Sequence, residues 1–171
     1  KKIERSDLLY EVCKQYLNKR NNIPYVIEGF LTGCCLEAHV HEGLKIIETE
    51  NIKPDNIDRY GEVSAVIAAL VAAIYNRQLD KTELSHKKEL IWNKKASELA
   101  PSNLDFKWNL SLSQLRNGLV LEGLKNYDVR FLRDTFPSPI RKFRVPIWTE
   151  QVEKNSKILL WYEQGIGDEL R

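Results

Sequence analysis

The residues most typical of a binding or catalytic site lie near the C-terminus, where Gly165, Gly167 and Asp168 follow the apolar run 157–162. This run favours a β-strand, and a strand that leads into a Gly-x-Gly turn begins many nucleotide-binding α/β domains. Glycine suits the turn because it adopts positive φ without steric cost, and an aspartate can cap the helix that would come next. Residues 157–171 are therefore predicted to be the first strand and Gly-x-Gly-Asp turn of a truncated α/β domain.

The cysteines and histidines are the next residues that could bind a metal ion or react. Cys34, Cys35, His39 and His41 could supply metal ligands, but the usual paired spacings do not occur and the two histidines point apart on a helix. Adjacent cysteines rarely form a disulfide because the geometry is strained, and the total of three cysteines is odd. We therefore expect no metal site and a location in the reducing cytoplasm.

A basic cluster lies in the proline-containing stretch 135–156. Arg141, Lys142 and Arg144 surround Phe143. They could bind phosphate, although a basic linker that lies on an acidic helical surface is the favoured interpretation. Because proline biases the preceding residue toward extended conformations and no helical stripe survives here, the stretch is predicted to be an extended linker.

The overall charge argues against two classes of partner. Lys plus Arg (26) nearly balance Asp plus Glu (24), and the net charge of +2 gives no electrostatic basis for binding nucleic acid or an anionic membrane surface. The longest uncharged apolar run, residues 63–75, is too short for a bilayer, which needs about 20 residues. We expect no membrane span. The chain begins at Lys1 and contains no methionine, which suggests a fragment of a longer protein.

Most of the chain before the linker is predicted to be helical, because apolar residues recur every three or four positions. A long helix is expected over about residues 57–76, capped by Asp55 or Asn56. Since residues 64–75 are apolar on nearly every side, this helix is predicted to be the centre of the core. A ligand groove around residues 65–73 is the alternative.

The next helix, about residues 81–99, is predicted to have one buried and one solvated side. Glu83 and Lys87 have the favourable order for an ion pair one turn apart on the solvated side. The residues expected on the buried side are Leu84, Ile91, Trp92, Ala96 and Leu99.

A helical hairpin is predicted on either side of Gly118, which can adopt the positive φ that ends a helix. The small residues Ser111 and Gly123 face the turn from the two helices, so the helix axes can approach closely. The apolar stripe of the first helix consists of Trp108, Leu112 and Leu115, and that of the second of Val120, Leu124, Tyr127 and Phe131.

At these residues the chain resembles a tetratricopeptide repeat, a 34-residue helix-turn-helix unit. Leu110 and Ser111 match positions of the first helix, Gly118 matches the turn, and Gly123 and Tyr127 match the second helix. Because one repeat of a solenoid buries its apolar face only against neighbouring repeats, further helices are implied.

The resemblance implies an all-α fold, a right-handed helix-turn-helix solenoid of about seven helices. The solenoid would occupy residues 1–134, the extended linker residues 135–156, and the short strand with its Gly-x-Gly-Asp turn residues 157–171. In the usual repeat geometry the first helices line a concave surface. Trp108 and Leu112 are therefore predicted, together with Arg116, to bind a protein or peptide partner. Packing in the core is the alternative role for Trp108 and Leu112.

Over residues 90–171 the chain is also similar to bacterial tetratricopeptide-containing glycosyltransferases, in which helical repeats precede a heptosyltransferase-like catalytic part. The similarity lies in the hairpin, a Pro-x-Trp element at Pro146 and Trp148, and the segment 163–168. It implies that Asp168 is the base that takes the proton of the acceptor hydroxyl. It also implies a nucleotide-sugar donor as the substrate of the parent protein.

The donor would be held mainly by a second catalytic domain that is not present in these 171 residues. We therefore predict that the chain itself has no transferase activity and serves as the protein-interaction region of a larger glycosyltransferase. The alternative is a stand-alone adaptor that binds peptide segments of partner proteins, in which Gly165 and Gly167 are coincidental.

Overall fold

The computed structural model describes residues 5–19, 23–36, 39–78, 82–136, 141–146 and 155–159. Every regular element in these ranges is helical, and none of the described residues forms a strand. The predicted all-α class is therefore confirmed for this part of the chain. The α-helices are α1 (Arg5–Asn18), α2 (Pro24–Leu36), α3 (Val40–Thr49), α4 (Ser64–Asn76), α5 (Glu83–Leu99), α6 (Leu104–Arg116) and α7 (Val120–Tyr127), and the 3₁₀ helices are Ile57–Val63 and Asp128–Leu132.

The chain divides into two compact units, residues 1–129 and residues 130–171. The first unit holds α1 to α7. In the second unit the rings of Phe131 and Phe136 meet edge to face, with centroids 5.5 Å apart. The described residues 141–146 have no helix or strand.

Lys157–Leu159 are the described part of the predicted strand, and they have no regular structure. The remaining residues of that strand and the Gly-x-Gly-Asp turn lie outside the described residues. The proposed division into a repeat domain, a linker and a truncated α/β domain stays a prediction.

Helix α4 is the centre of the first unit, as predicted. It packs against α2, α3 and α5 and against the 3₁₀ helix Ile57–Val63. Its residues Ile67, Val71 and Ile74 are fully buried. A Cβ atom on Gly43 of α3 would lie only 2.5 Å from Ile74 Cδ1, so α3 can approach α4 this closely only because it has a glycine there. Burying apolar side chains on several sides of one helix is the main source of stability for this unit.

The helix expected over residues 57–76 is shorter than predicted, because its first part is the 3₁₀ helix. Gly61 has φ 60° and ψ −131° there, a conformation that glycine adopts more readily than any other residue. The predicted cap is also wrong. The Asn56 side chain instead accepts a hydrogen bond from Lys53 N at 2.9 Å and donates one to Asn51 O at 2.8 Å.

The buried face of α5 differs from the predicted one. Trp92 and Ala96 are buried as expected, but Leu84 is 61% exposed and Ile91 is 51% exposed. Helix α5 packs against α4 and also against α6, so the covered surface is wider than a single apolar stripe and takes in polar positions. These buried polar residues are Ser85, Glu89 and Asn93, spaced four apart.

Local sequence sets the start of α6 and the break between α6 and α7. Asn103 Oδ1 accepts hydrogen bonds from two backbone N–H groups in the first turn of α6, at 3.0 and 3.1 Å. Gly118 has φ 78° and separates α6 from α7. The predicted ion pair on α5 is confirmed, with Lys87 Nζ 2.6 Å from Glu83 Oε1.

Helices α6 and α7 form a tight hairpin. A Cβ atom on Gly123 would lie 2.7 Å from Leu115 Cδ2, so the two helices approach as closely as the small residue allows. The rings of Trp108 and Tyr127 pack together with centroids 4.8 Å apart. Ser111 is fully buried, and its Oγ donates a hydrogen bond to Trp108 O at 2.8 Å.

The apolar stripe predicted on α7 is largely exposed. Val120 is 52% exposed and Leu124 is 53% exposed, while Gly123 is the buried residue of the helix. Since Gly123 is the point of closest contact with α6, the larger side chains lie to either side of that contact. Within the described ranges, every helix is too short or too polar to cross a lipid bilayer.

Candidate binding cleft

A cavity of about 360 Å³ lies between α4, α5 and α6 in the first unit. Each helix contributes residues three, four or seven positions apart, which is the spacing of one helical face. We call this cavity the α4–α6 cleft. Its lining residues are Ala69, Ala72, Ala73 and Asn76 from α4, Arg77 directly after α4, Glu89 and Asn93 from α5, and Asn109, Leu112 and Arg116 from α6.

The cleft has an apolar part and a polar part. The alanines of α4 end at Cβ and leave space between the helices, and Leu112 contributes an aliphatic side chain from α6. The polar part consists of amide, guanidinium and carboxylate groups from all three helices. The polar part is the larger one, and apolar surface beside convergent polar groups is a feature of ligand sites.

A buried ion pair crosses the cleft. The Glu89 side chain is 3% exposed, and Arg116 Nη1 donates to both of its carboxylate oxygens at 2.5 Å. Asn76 Nδ2 donates to Glu89 Oε1 at 2.7 Å. A buried carboxylate is tolerated when it is paired and hydrogen-bonded, and here the partners come from α4 and α6. Glu89 therefore fixes the position of Arg116 at the cleft.

Asn93 is a buried polar side chain that lines the cleft. It is only 5% exposed, and its amide makes no hydrogen bond within the part of the chain that the structure describes. An asparagine amide can donate two hydrogen bonds and accept others, and buried polar groups normally use this capacity. Because Asn93 lines the cavity, its amide is available to a bound molecule.

Arg77 brings a second guanidinium group to the cleft. It also lies beside the thiol of Cys35, whose Sγ donates a weak hydrogen bond to Leu70 O at 3.8 Å. Burial raises the pKa of the Cys35 thiol, and the charge and hydrogen bond of Arg77 counter part of this increase. Cys35 is thus a buried thiol that contacts the lining residue Arg77.

The structure places the sequence-predicted binding residues in different surroundings. Leu112 and Arg116 both line the α4–α6 cleft. Trp108 is not among the lining residues and packs against Tyr127 inside the α6–α7 hairpin. The predicted catalytic residue Asp168 lies outside the described residues, as do Gly165 and Gly167.

The cysteines and histidines do not gather around a common point. In the described ranges no group of three or more His, Cys, Asp or Glu side chains could hold a metal ion. The ring of His39 stacks on Tyr10, with centroids 4.4 Å apart. Cys13, Cys34 and Cys35 are free and buried, and burial raises the pKa of Cys34 to about 12.

Sequence reasoning missed the polar residues of the cleft. A search for apolar stripes assigns Glu89 and Asn93 to the solvated side of α5. The available signal is their spacing, because with Ser85 they recur every four residues next to the buried Trp92. Polar residues at a helical period beside a buried aromatic residue indicate a covered polar face.

Comparison with protein-family models, with curated proteins and with solved structures gives no match. The chemistry of the cleft therefore carries the functional assignment. Two features of the cleft support the functional interpretation. One is the Asn93 amide, which has no partner among the described residues, and the other is the Arg116 guanidinium group that Glu89 holds in place.

Proposed function

We propose that this chain is a helical-repeat region that binds an extended segment of a partner protein in the α4–α6 cleft. The pairwise packing of consecutive helices supports a tetratricopeptide-like solenoid, which we propose to be right-handed. Helices α1 and α2, α4 and α5, and α6 and α7 form three pairs, and α5 also packs against α6. In such an arrangement one helix of each pair contributes to a concave surface.

The single observation that supports this proposal is the Asn93 amide, which is buried, has no hydrogen-bond partner among the described residues and lines a cavity with both polar and apolar surface. A peptide backbone presents both N–H and C=O groups, and an asparagine amide can pair with both. Leu112 and the alanines of α4 provide apolar surface for a side chain of the same segment. Asn109 provides another amide, one helix away.

We further propose that the chain belongs to a larger glycosyltransferase, on the basis of its similarity over residues 90–171. In that parent, Asp168 would act as the base, Gly165 and Gly167 would form the turn before it, and a nucleotide sugar would be the donor. The chain itself would lack transferase activity. A stand-alone adaptor is the alternative, and reading the coding sequence beyond Arg171 separates the two, since only the enzyme requires alternating strands and helices to follow.

Peptide selection tests the binding proposal. A random peptide library is panned against the chain, and the Kd of each selected peptide is measured by calorimetry. Leu112→Trp fills the cleft and is expected to weaken binding at least tenfold. Lys94→Ala is the matched control, because the Lys94 side chain is 70% exposed on α5 and does not line the cleft. A library that yields no binder, or peptides that bind Leu112→Trp as tightly as wild type, would refute the proposal.

The cavity also favours a second candidate function, the binding of a small molecule against Ala69, Ala72 and Ala73. Its volume of about 360 Å³ lies in the range of ligand pockets, roughly 300 to 1,000 Å³. Native mass spectrometry of the chain purified from its source would then show an added small-molecule mass. A spectrum with only the mass of the bare chain would rule against this candidate.

A further inference from the structure

We infer that the α4–α6 cleft recognises a carboxylate group, which Arg116 and Asn93 bind together. This inference rests on the proposed function, because it names the chemistry that the partner segment presents. It follows from the balance of charge in the cleft, from the hydrogen-bonding groups that remain unused, and from the access that the exposed part of Arg116 provides.

The charge balance of the cleft is positive. Its lining includes two arginines, Arg77 and Arg116, and one acidic residue, Glu89. The Glu89 carboxylate is 3% exposed and already accepts hydrogen bonds from α4 and α6. Although Glu89 lines the cavity, its carboxylate is nearly buried and already hydrogen-bonded, so the charge most open to a ligand comes from the guanidinium groups.

The unused hydrogen-bonding groups of the cleft are mainly donors. Glu89 contacts Arg116 through Nη1, and the other N–H groups of that guanidinium have no partner among the described residues. The side chain of Arg116 is 37% exposed, so a ligand can reach it. The Asn93 amide adds N–H donors that are also without an acceptor in the described ranges.

An acceptor-only group matches this set of donors. A carboxylate has two oxygens that can receive an N–H fork from arginine and a further hydrogen bond from an amide. A neutral amide can also pair with the Asn93 amide, but its uncharged oxygen gains no charge-assisted hydrogen bond from Arg116. Phosphate is also acceptor-only, but its second negative charge would lie near the buried charge of Glu89. The arrangement thus favours a singly charged carboxylate.

Glu89 is a positioning residue that sets the affinity of the cleft for a carboxylate. It holds Arg116 at the cleft but neutralises part of its charge. Glu89→Gln keeps a side-chain oxygen for the hydrogen bond and removes the competing charge. We expect it to tighten carboxylate binding about fivefold to tenfold and to leave the binding of a neutral amide unchanged.

The test uses acetate and acetamide as a matched pair of probes for the intact chain. Nuclear magnetic resonance spectra of the ¹⁵N-labelled chain follow the side-chain signals of Asn93 and Arg116 at constant ionic strength. Acetate is expected to shift both signals along one saturable curve, whereas acetamide at the same concentration is expected to shift them much less because it has no charge. Equal shifts with acetamide, tighter binding of inorganic phosphate, or no shift with acetate at millimolar concentration would each overturn the inference.

Two further variants, Asn93→Leu and Arg116→Lys, test the inference independently of Glu89→Gln. Asn93→Leu has no intramolecular hydrogen bond to lose within the described residues, so the fold is retained while acetate affinity falls about tenfold. Arg116→Lys keeps the positive charge but loses the planar fork and is expected to weaken acetate binding as well. Unchanged acetate affinity in Asn93→Leu would contradict the assignment.

Two peptide arms identify the source of the carboxylate. One peptide has an internal acidic residue and an amidated C-terminus, and the other has a free C-terminus and no acidic residue. Binding of either supports the inference and names the source. Peptides with neither carboxylate provide the comparison. If these neutral peptides bind as tightly as the two charged ones, and Leu112→Trp still weakens their binding, the carboxylate inference fails while the proposed function stands.

Discussion

Arg116 Nη1 lies 2.5 Å from both carboxylate oxygens of Glu89, and Asn76 Nδ2 lies 2.7 Å from one of them. One buried carboxylate of α5 thus contacts side chains of both α4 and α6. The same contacts that hold these helices together also define the polar wall of the cleft. Changes at this carboxylate should therefore affect stability and binding together.

The stability of the first unit should depend on Arg116. Arg116→Ala leaves the buried Glu89 carboxylate without its cationic partner, which costs several kcal/mol for a fully buried pair. Because the Arg116 side chain is 37% exposed, we expect a smaller loss, about 2 kcal/mol, in the free energy of unfolding by urea.

The control for this measurement is Lys94→Ala. Lys94 lies 4.0 Å from Glu98, and both side chains are more than half exposed, so the expected loss is below about 0.5 kcal/mol. An Arg116→Ala variant that unfolds at the same urea concentration as the Lys94→Ala variant would show that the buried pair contributes nothing.

Gly123→Ala tests the close approach of α6 and α7. The added Cβ would lie 2.7 Å from Leu115 Cδ2 and 3.1 Å from Leu115 N, and the backbone atom cannot move aside easily. The steric cost of about 1 to 3 kcal/mol should exceed the gain of about 1 kcal/mol in helix propensity. We expect a lower melting temperature, whereas Lys125→Ala on the exposed side of α7 should leave it nearly unchanged. A Gly123→Ala variant with a raised melting temperature would mean that the helices are farther apart.

Cys34 should be the slowest of the three thiols to react. Burial and, to a smaller extent, the neighbouring Cys35 thiolate raise its pKa to about 12, so very little Cys34 thiolate is present near neutral pH. Alkylation with iodoacetamide at pH 8, followed by mass spectrometry of the peptides, should label Cys34 only when the chain is unfolded in urea. Rapid labelling of Cys34 in the folded chain would contradict its place in the core.

The same shift predicts how stability depends on alkaline pH. The folded pKa of Cys34 lies above the ordinary value of 9.0, so its contribution is complete below pH 9 and is lost as the pH rises toward 12. The loss is at most about 1.4 kcal/mol per pH unit for one group. Unfolding free energies at pH 8 and pH 10 should therefore differ less in Cys34→Ala than in wild type. An identical difference in both proteins would exclude Cys34 as a contributor.

Features that depend on neighbours within one helical turn could be predicted from sequence. Asn103 caps α6, Gly118 separates α6 from α7, and Glu83 pairs with Lys87. Each depends on residues no more than four positions away, so the sequence contains all the participants.

The residues of the cleft depend on distant partners and could not be predicted in the same way. Glu89 is buried because Arg116, 27 positions later, neutralises it. Gly61 interrupts the helix expected over residues 57–76 because the backbone turns there, and apolar periodicity contains no information about that turn. Leu112 and Arg116 were identified through the repeat pattern, whereas the Asn93 amide was missed because its burial follows from the packing of α5 against two helices.

The most direct test of the central claim is a crystal structure of the chain with the tightest peptide from the library selection. The account predicts that the peptide lies between α4 and α6, with a hydrogen bond from Asn93 Nδ2 and a carboxylate against Arg116. A peptide seated on another surface of the chain, with the α4–α6 cleft empty, would contradict it.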